Sequence, residues 1–241
     1  RTNAQSRALE EELQRSGLRY AIVGSIRFYE RREIKDILTY LRLLANPADD
    51  VGLRRIINVP KRGIGDTSLD YVQRHALNNG LNLFTAIGQL DFVEGLNARA
   101  RKQIAAFRDI MEGLFKARQT APLAELGQLV FERSGYLQML RDENTPEAQM
   151  REENVEQLIA FMTEFSDTRE EATLEAFLEE IALMSPMDET EENGNAITLM
   201  TLHSAKGLEY PVVFMCGMEE NLFPTARSVE ESRRDPQAIE E

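Results

Sequence analysis

Tryptophan is absent from the 241-residue chain, Cys216 is its only cysteine, and His75 and His203 are its only histidines. One cysteine cannot build a disulfide framework, and one cysteine with two histidines is too few for a zinc site made of Cys and His within one chain. No metal site is expected. No apolar run approaches the roughly 18 residues that cross a bilayer, and no signal-peptide pattern opens the chain, so the expectation is a cytoplasmic protein with no membrane partner. Gly-x-x-x-x-Gly-Lys-Ser/Thr, the backbone cradle for nucleotide phosphates, is missing. So is the Gly-x-Ser-x-Gly nucleophile elbow, which leaves His203 without serine-hydrolase partners. No complete catalytic set remains.

What is present is ordinary for a globular chain: 42% hydrophobic and 29% charged residues, which excludes a dominant disordered tail. The net charge of -13 argues against a nucleic-acid partner on average, because neutralising phosphates takes clustered Lys and Arg. That charge is unevenly spread. Residues 1–80 hold 14 Lys and Arg against 10 Asp and Glu, whereas residues 81–241 hold 14 against 31. The first third can face an anion that the rest repels. The chain opens at Arg1 and stops in a charged, helical-looking stretch at Glu241, and is expected to be a piece of a longer protein.

Helical periodicity dominates the middle. Ile34, Ile37, Leu38 and Leu41 fall at i, i+3, i+4 and i+7, as do Leu158, Phe161, Met162 and Phe165, and Leu174, Phe177, Leu178 and Ile181. Ile104, Phe107, Ile110, Met111 and Leu114 predict another long amphipathic helix, and Leu126, Leu129 and Val130 a shorter one. Breaks fall at Asn46-Pro47, Asn78-Asn79-Gly80, Ala121-Pro122, Thr145-Pro146 and Ser185-Pro186. The ends differ. Ala21–Val23, Ala196–Leu202 and Val212–Cys216 are strand candidates, the last an unbroken apolar run suited to a sheet covered on both faces. An acidic linker, Asp188 to Asn195, separates the helical block from the second strand region. The fold class expected is mainly α: an all-helical domain inserted into a partial α/β domain.

Two segments carry chemistry by themselves. Pro60-Lys61-Arg62-Gly63-Ile64-Gly65-Asp66-Thr67 is a basic Gly-x-Gly turn between two helix patterns, Leu53 to Asn58 and Leu69 to Asn78. Two glycines let the backbone turn tightly, and the amides opening the next helix face an anion, so the loop can seat a DNA phosphate beside Lys61 and Arg62. The alternative is a plain helical hairpin with Thr67 as N-cap and Asp70 completing a capping-box-like pair. Thr201 to Tyr210 places Thr, His, Ser, Lys and Glu at the end of a strand, where α/β sheets bind ligands. There Glu209 is either an acceptor for a nucleotide ribose or a solvated carboxylate at a helix start.

Arg1-Thr2-Asn3-Ala4-Gln5-Ser6-Arg7, then Arg27 to Asp36, the Gly63-Ile64-Gly65 loop, and Thr201 to Glu209 followed by Gly217 to Pro224 occur together in one order. In that order they closely resemble the UvrD/PcrA/Rep group of superfamily-1 DNA helicases, over the whole chain. The resemblance implies an ATP-driven motor that translocates 3′ to 5′ on single-stranded DNA and unwinds duplex, with two RecA-like domains (1A and 2A), each with a helical insertion (1B and 2B). Residues 1–24 and 189–241 would then be parts of 2A, and 25–188 the 2B insertion. It implies single-strand contacts for Arg1, Asn3, Thr201 and His203, and an ATP-ribose contact for Glu209. For Gly63, Gly65 and Thr67, with Lys35, Lys61 and Arg62 around them, it implies duplex contacts. ATP and Mg2+ are expected cofactors of the full-length parent, with none bound to this piece, which lacks the phosphate cradle and motif VI and is expected to be inactive as an ATPase. The expected partners are single-stranded and duplex DNA, with repair or replication proteins beside them. The alternative is that the helical block is a regulatory protein-interaction module without DNA binding of its own.

Overall fold

The structure, a computed structural model, describes residues 6–23, 28–169, 171–184 and 196–218. The chain divides into two compact units, one of residues 1–25 with 195–241 and one of residues 26–194. Most described residues are helical, so the chain is mainly α.

In the first unit, α1 (Ser6–Arg15) leads to β1 (Tyr20–Val23), which pairs in parallel with β2 (Ile197–Met200) in the register Tyr20 to Ile197 through Val23 to Met200. A short α11 (Leu202–Ala205) follows β2. The strand expected at Val212–Cys216 does not form. Strands exist only as hydrogen-bonded neighbours, and β1 and β2 pair only with each other among the described residues, so Val212, Val213 and Phe214 stand exposed.

The second unit runs through α2 (Arg32–Ala45), α3 (Asp50–Ile56), α4 (Asp66–Asn79), α5 (Leu83–Ile87), α6 (Ala98–Arg118), α7 (Leu123–Arg133), α8 (Tyr136–Glu143), α9 (Pro146–Thr168) and α10 (Leu174–Met184). The breaks in the sequence become caps. Asn46 ends α2, Gly80 closes α4 in the left-handed conformation, and the Thr145 side chain caps α9 with Pro146 in its first turn.

The periodic residues form one core, but α2 is more than an amphipathic surface helix. It packs against α3, α6, α7, α9 and α10, burying Ile34, Ile37, Leu38, Tyr40, Leu41, Leu43 and Leu44 together with Glu33, Asp36 and Thr39. Polar side chains buried on such a helix must be satisfied inside, while Arg32, Lys35 and Arg42 remain exposed on it. Asp36 accepts from Arg55 at 2.7 Å and from the Tyr136 hydroxyl at 3.0 Å. Asn154, from α9, accepts from Arg31 at 2.7 Å and donates to Glu33 at 2.6 Å. These bonds tie α2 to α3, α8 and α9, and α2 becomes the post on which the loop before α4 is mounted.

Candidate nucleic-acid interface

The loop between α3 and α4 is built from the inside. Asn58 Oδ1 accepts the Arg62 amide at 2.7 Å and the Ile64 amide at 3.4 Å, and Ile64 is buried beneath the turn. Gly63 sits at φ +73°, a conformation that favours glycine, and a Cβ there would lie 2.6 Å from the mobile amide end of Gln103 on α6.

Gly65 differs. Its φ of -87° and ψ of 158° suit any residue, and a Cβ would meet nothing within 4 Å. The expectation that both glycines serve the turn therefore holds for Gly63 alone. Neither backbone strain nor packing explains glycine at 65.

Gly65 is also the N-cap of α4, displacing the Thr67 cap that the hairpin alternative required. The helix begins three residues earlier than the apolar pattern, which puts Thr67 at its second position. No side chain caps it. The Gly65 carbonyl accepts the Ser68 and Leu69 amides, while the Asp66 and Thr67 amides find no acceptor among the described residues. Asp70, proposed as the capping partner, is within 3.4 Å of Arg54 of α3 instead. Gly63, Gly65, Asp66 and Thr67 are all exposed, so the open amides of a 14-residue helix face solvent with no Cβ at 65 to screen them.

The two cations of the loop part company. Lys61 is exposed and without a partner among the described residues. Arg62 turns inward. Its Nη1 donates to the Ile56, Ile57 and Pro60 carbonyls at 3.2 Å each, and its Nη2 to the Ser134 carbonyl at 2.7 Å and the Tyr40 hydroxyl at 2.9 Å. The guanidinium also lies 5.2 Å from the centre of the Phe107 ring. Tyr40 in turn donates to the Val59 carbonyl at 2.7 Å, and burial pushes its phenol up to about 12, with Arg62 opposing the shift. Arg62 thus fastens α2, α6 and the α7–α8 junction to the loop, leaving no donor pair aimed at solvent. Sequence reasoning saw a basic residue beside glycines and missed its acceptors, which are backbone carbonyls brought together only by folding.

Lys35 lies exposed on the first turn of α2 beside the buried Asp36, its side chain without a partner among the described residues. In the first unit, Thr201 caps α11: its Oγ1 accepts the Ser204 amide at 3.1 Å and is 2.9 Å from Ser204 Oγ. Glu209 is exposed. Arg1, Asn3 and the His203 side chain lie outside the described residues, as do the acidic linker and Glu219 to Pro224.

The UvrD-like helicase C-terminal domain matches residues 1–241. The chain is 47% identical over 237 residues to the ATP-dependent DNA helicase PcrA of Bacillus subtilis, covering 96% of this chain and 32% of that protein. It is 44% identical over 231 residues to the protein of the same name from Staphylococcus aureus, covering 95% and 31%. It thus spans about a third of the length of these relatives. A match over every residue, with the Gly-x-Gly loop presented at an open helix start, places the chain in the UvrD-like helicase C-terminal domain family.

Proposed function

We propose that this chain is the part of an ATP-dependent 3′–5′ DNA helicase in which a helical domain, the 2B insertion of residues 25–188, holds duplex DNA by its backbone and regulates unwinding. The flanking 2A segments, 1–24 and 189–241, contribute to the motor. The observation that carries this is Gly65: a glycine that the fold itself does not need, at the uncapped start of α4, where a phosphate oxygen can approach the Asp66 and Thr67 amides. Lys61 adds a long-range, salt-sensitive attraction, and Arg62 holds the loop in place. Net charge opposes binding, but at physiological salt the Debye length is about 8 Å, so acids remote from the loop are largely screened.

In the same proposal Arg1, Asn3, Thr201 and His203 contact the single strand and Glu209 the ATP ribose. Repair or replication proteins are its further partners. Among the described residues no three His, Cys, Asp or Glu side chains converge on one point, and Glu209 is a single exposed carboxylate. ATP and Mg2+ enter the proposal as ligands of the longer protein.

Fluorescence anisotropy of a labelled blunt duplex across a salt series tests the reading. Wild-type chain should bind without sequence preference, with Kd in the range of roughly 10⁻⁴ to 10⁻⁶ M. Gly65→Ser retains a good N-cap residue but places its hydroxyl on the α4 amides, so it should weaken binding while leaving stability unchanged or slightly raised. Identical titrations for wild type, Gly65→Ser and Lys61→Ala would leave the loop a structural hairpin and favour the protein-interaction module.

A further inference from the structure

One face of α4 runs from the loop to a cleft. Thr67, Tyr71, Arg74 and Asn78 fall at i, i+4, i+7 and i+11, a single stripe of the helix, while Leu69, Val72 and Ala76 are buried on another. Beyond Thr67 the stripe forms one wall of a cleft of about 570 Å³, and the segment after α5, with Phe92, Glu94 and Gly95, forms the other. Arg74 stands eight residues past the first residue of α4, about 12 Å along the helix axis.

The walls are fixed, and the groups they present are free. Gly95 sits at φ +79°, and a Cβ there would lie 2.6 Å from the Tyr71 ring, so the backbone itself closes on the tyrosine. The Arg74 guanidinium lies 5.6 Å from the centre of the same ring. His75 Nε2 is 3.3 Å from Gln89 Oε1, which ties α4 to the segment that bears Phe92. Phe92 is 74% exposed at the cleft, and the side chains of Arg74, Asn78 and Glu94 are exposed with no partner for their polar ends among the described residues. They offer donors, an amide and an acceptor beside planar groups. A bare phosphate suits this set poorly, because Glu94 repels it. A heterocycle with a flat face and a mixed donor and acceptor edge suits it well.

We propose that this cleft takes one unpaired base of a DNA strand whose backbone is held at the loop, stacking it against Phe92 and meeting its edge with Arg74, Asn78 and Glu94. This rests on the loop reading above. Successive bases of one strand lie about 3.4 Å apart along a duplex, so the cleft is within about four steps of a phosphate at the start of α4. The helical unit then holds paired DNA by its backbone and detects a break in pairing beside it. Stacking tolerates any base, because each has a flat face.

The test uses the full chain and two labelled duplexes of one sequence, one fully paired and one with a single bulged 2-aminopurine, compared by anisotropy across a salt series. Far-UV circular dichroism confirms that each variant is folded. Wild type should bind the bulged duplex about five- to tenfold tighter, within what one base stacked on an aromatic ring contributes, and should quench the 2-aminopurine. Phe92→Ala removes an exposed ring that the fold does not need, and should abolish both effects. It should leave the paired-duplex affinity and the salt slope near wild type, since stacking releases no counterion. Phe92→Trp should restore the preference, and Leu77→Ala, which removes a similarly exposed apolar side chain of α4 outside the cleft, should retain it. A preference that survives in Phe92→Ala overturns the proposal. If Gly65→Ser weakens binding to both duplexes while wild type binds the two equally, the loop reading stands and this proposal falls. A preference that depends on Phe92 and is indifferent to Gly65→Ser retains the cleft as a base site and removes the loop. No binding by the wild-type chain overturns both.

Discussion

Replacing Arg62 separates a residue that shapes the loop from one that touches DNA. In Arg62→Ala the carbonyls of Ile57, Pro60 and Ser134 lose their described donor, whereas Ile56 keeps the Val59 amide at 2.9 Å. A buried acceptor left unpaired costs about 1–3 kcal/mol. Arg62 is half-buried, so water reaches part of the vacated space and the three costs do not add in full. With the lost Phe107 contact, the expected penalty is about 3–5 kcal/mol, a large share of the roughly 5–15 kcal/mol that holds a domain together. For a body of this size that is a fall in Tm of about 6–20 °C. Arg62→Lys keeps the charge but has three donors for five acceptors, and should lose about 2 kcal/mol. Urea unfolding followed by circular dichroism measures both, beside the duplex salt series. The reasoning fails if Arg62→Ala stays within about 1 kcal/mol of wild type while lowering the salt slope by roughly one unit, since that pair of results describes a direct phosphate contact.

Gly63→Ala should cost about 1–2 kcal/mol in urea unfolding, because φ +73° strains any L side chain, while the Gln103 amide end can swing aside; Gly65→Ser, measured alongside, should cost nothing. Alkaline pH should unfold the helical unit from its tyrosines. Burial holds the Tyr40 phenol up to about 12, and burial with Asp36 raises Tyr136 further still, against about 10 in the unfolded chain, so the native state keeps protons that the unfolded state releases. Stability is then intact below pH 10 and falls above it by up to about 1.4 kcal/mol per pH unit for each tyrosine. In a spectrophotometric titration, phenolate absorbance from two of the six tyrosines should appear only as helical dichroism is lost, and their appearance before any loss of dichroism would contradict the burial argument.

The sequence by itself determined the helical class and the core stripes. Spacings such as Leu158, Phe161, Met162 and Phe165 need only the 3.6-residue period of the helix, and all four are buried. It also determined the breaks at Asn46, Gly80 and Thr145, because capping depends on residues a few positions apart. The start of α4 escaped it: Asp66-Thr67-Ser68 carry no apolar signal, so the apolar pattern begins three residues after the helical backbone does. Only the tertiary structure decided that Gly63 is required and Gly65 is not, since that distinction rests on a left-handed backbone at 63 and on ordinary dihedrals and empty space at 65. Only it turned Arg62 inward, because Tyr40 and the Ser134 carbonyl are neighbours in the packed helices and strangers along the chain.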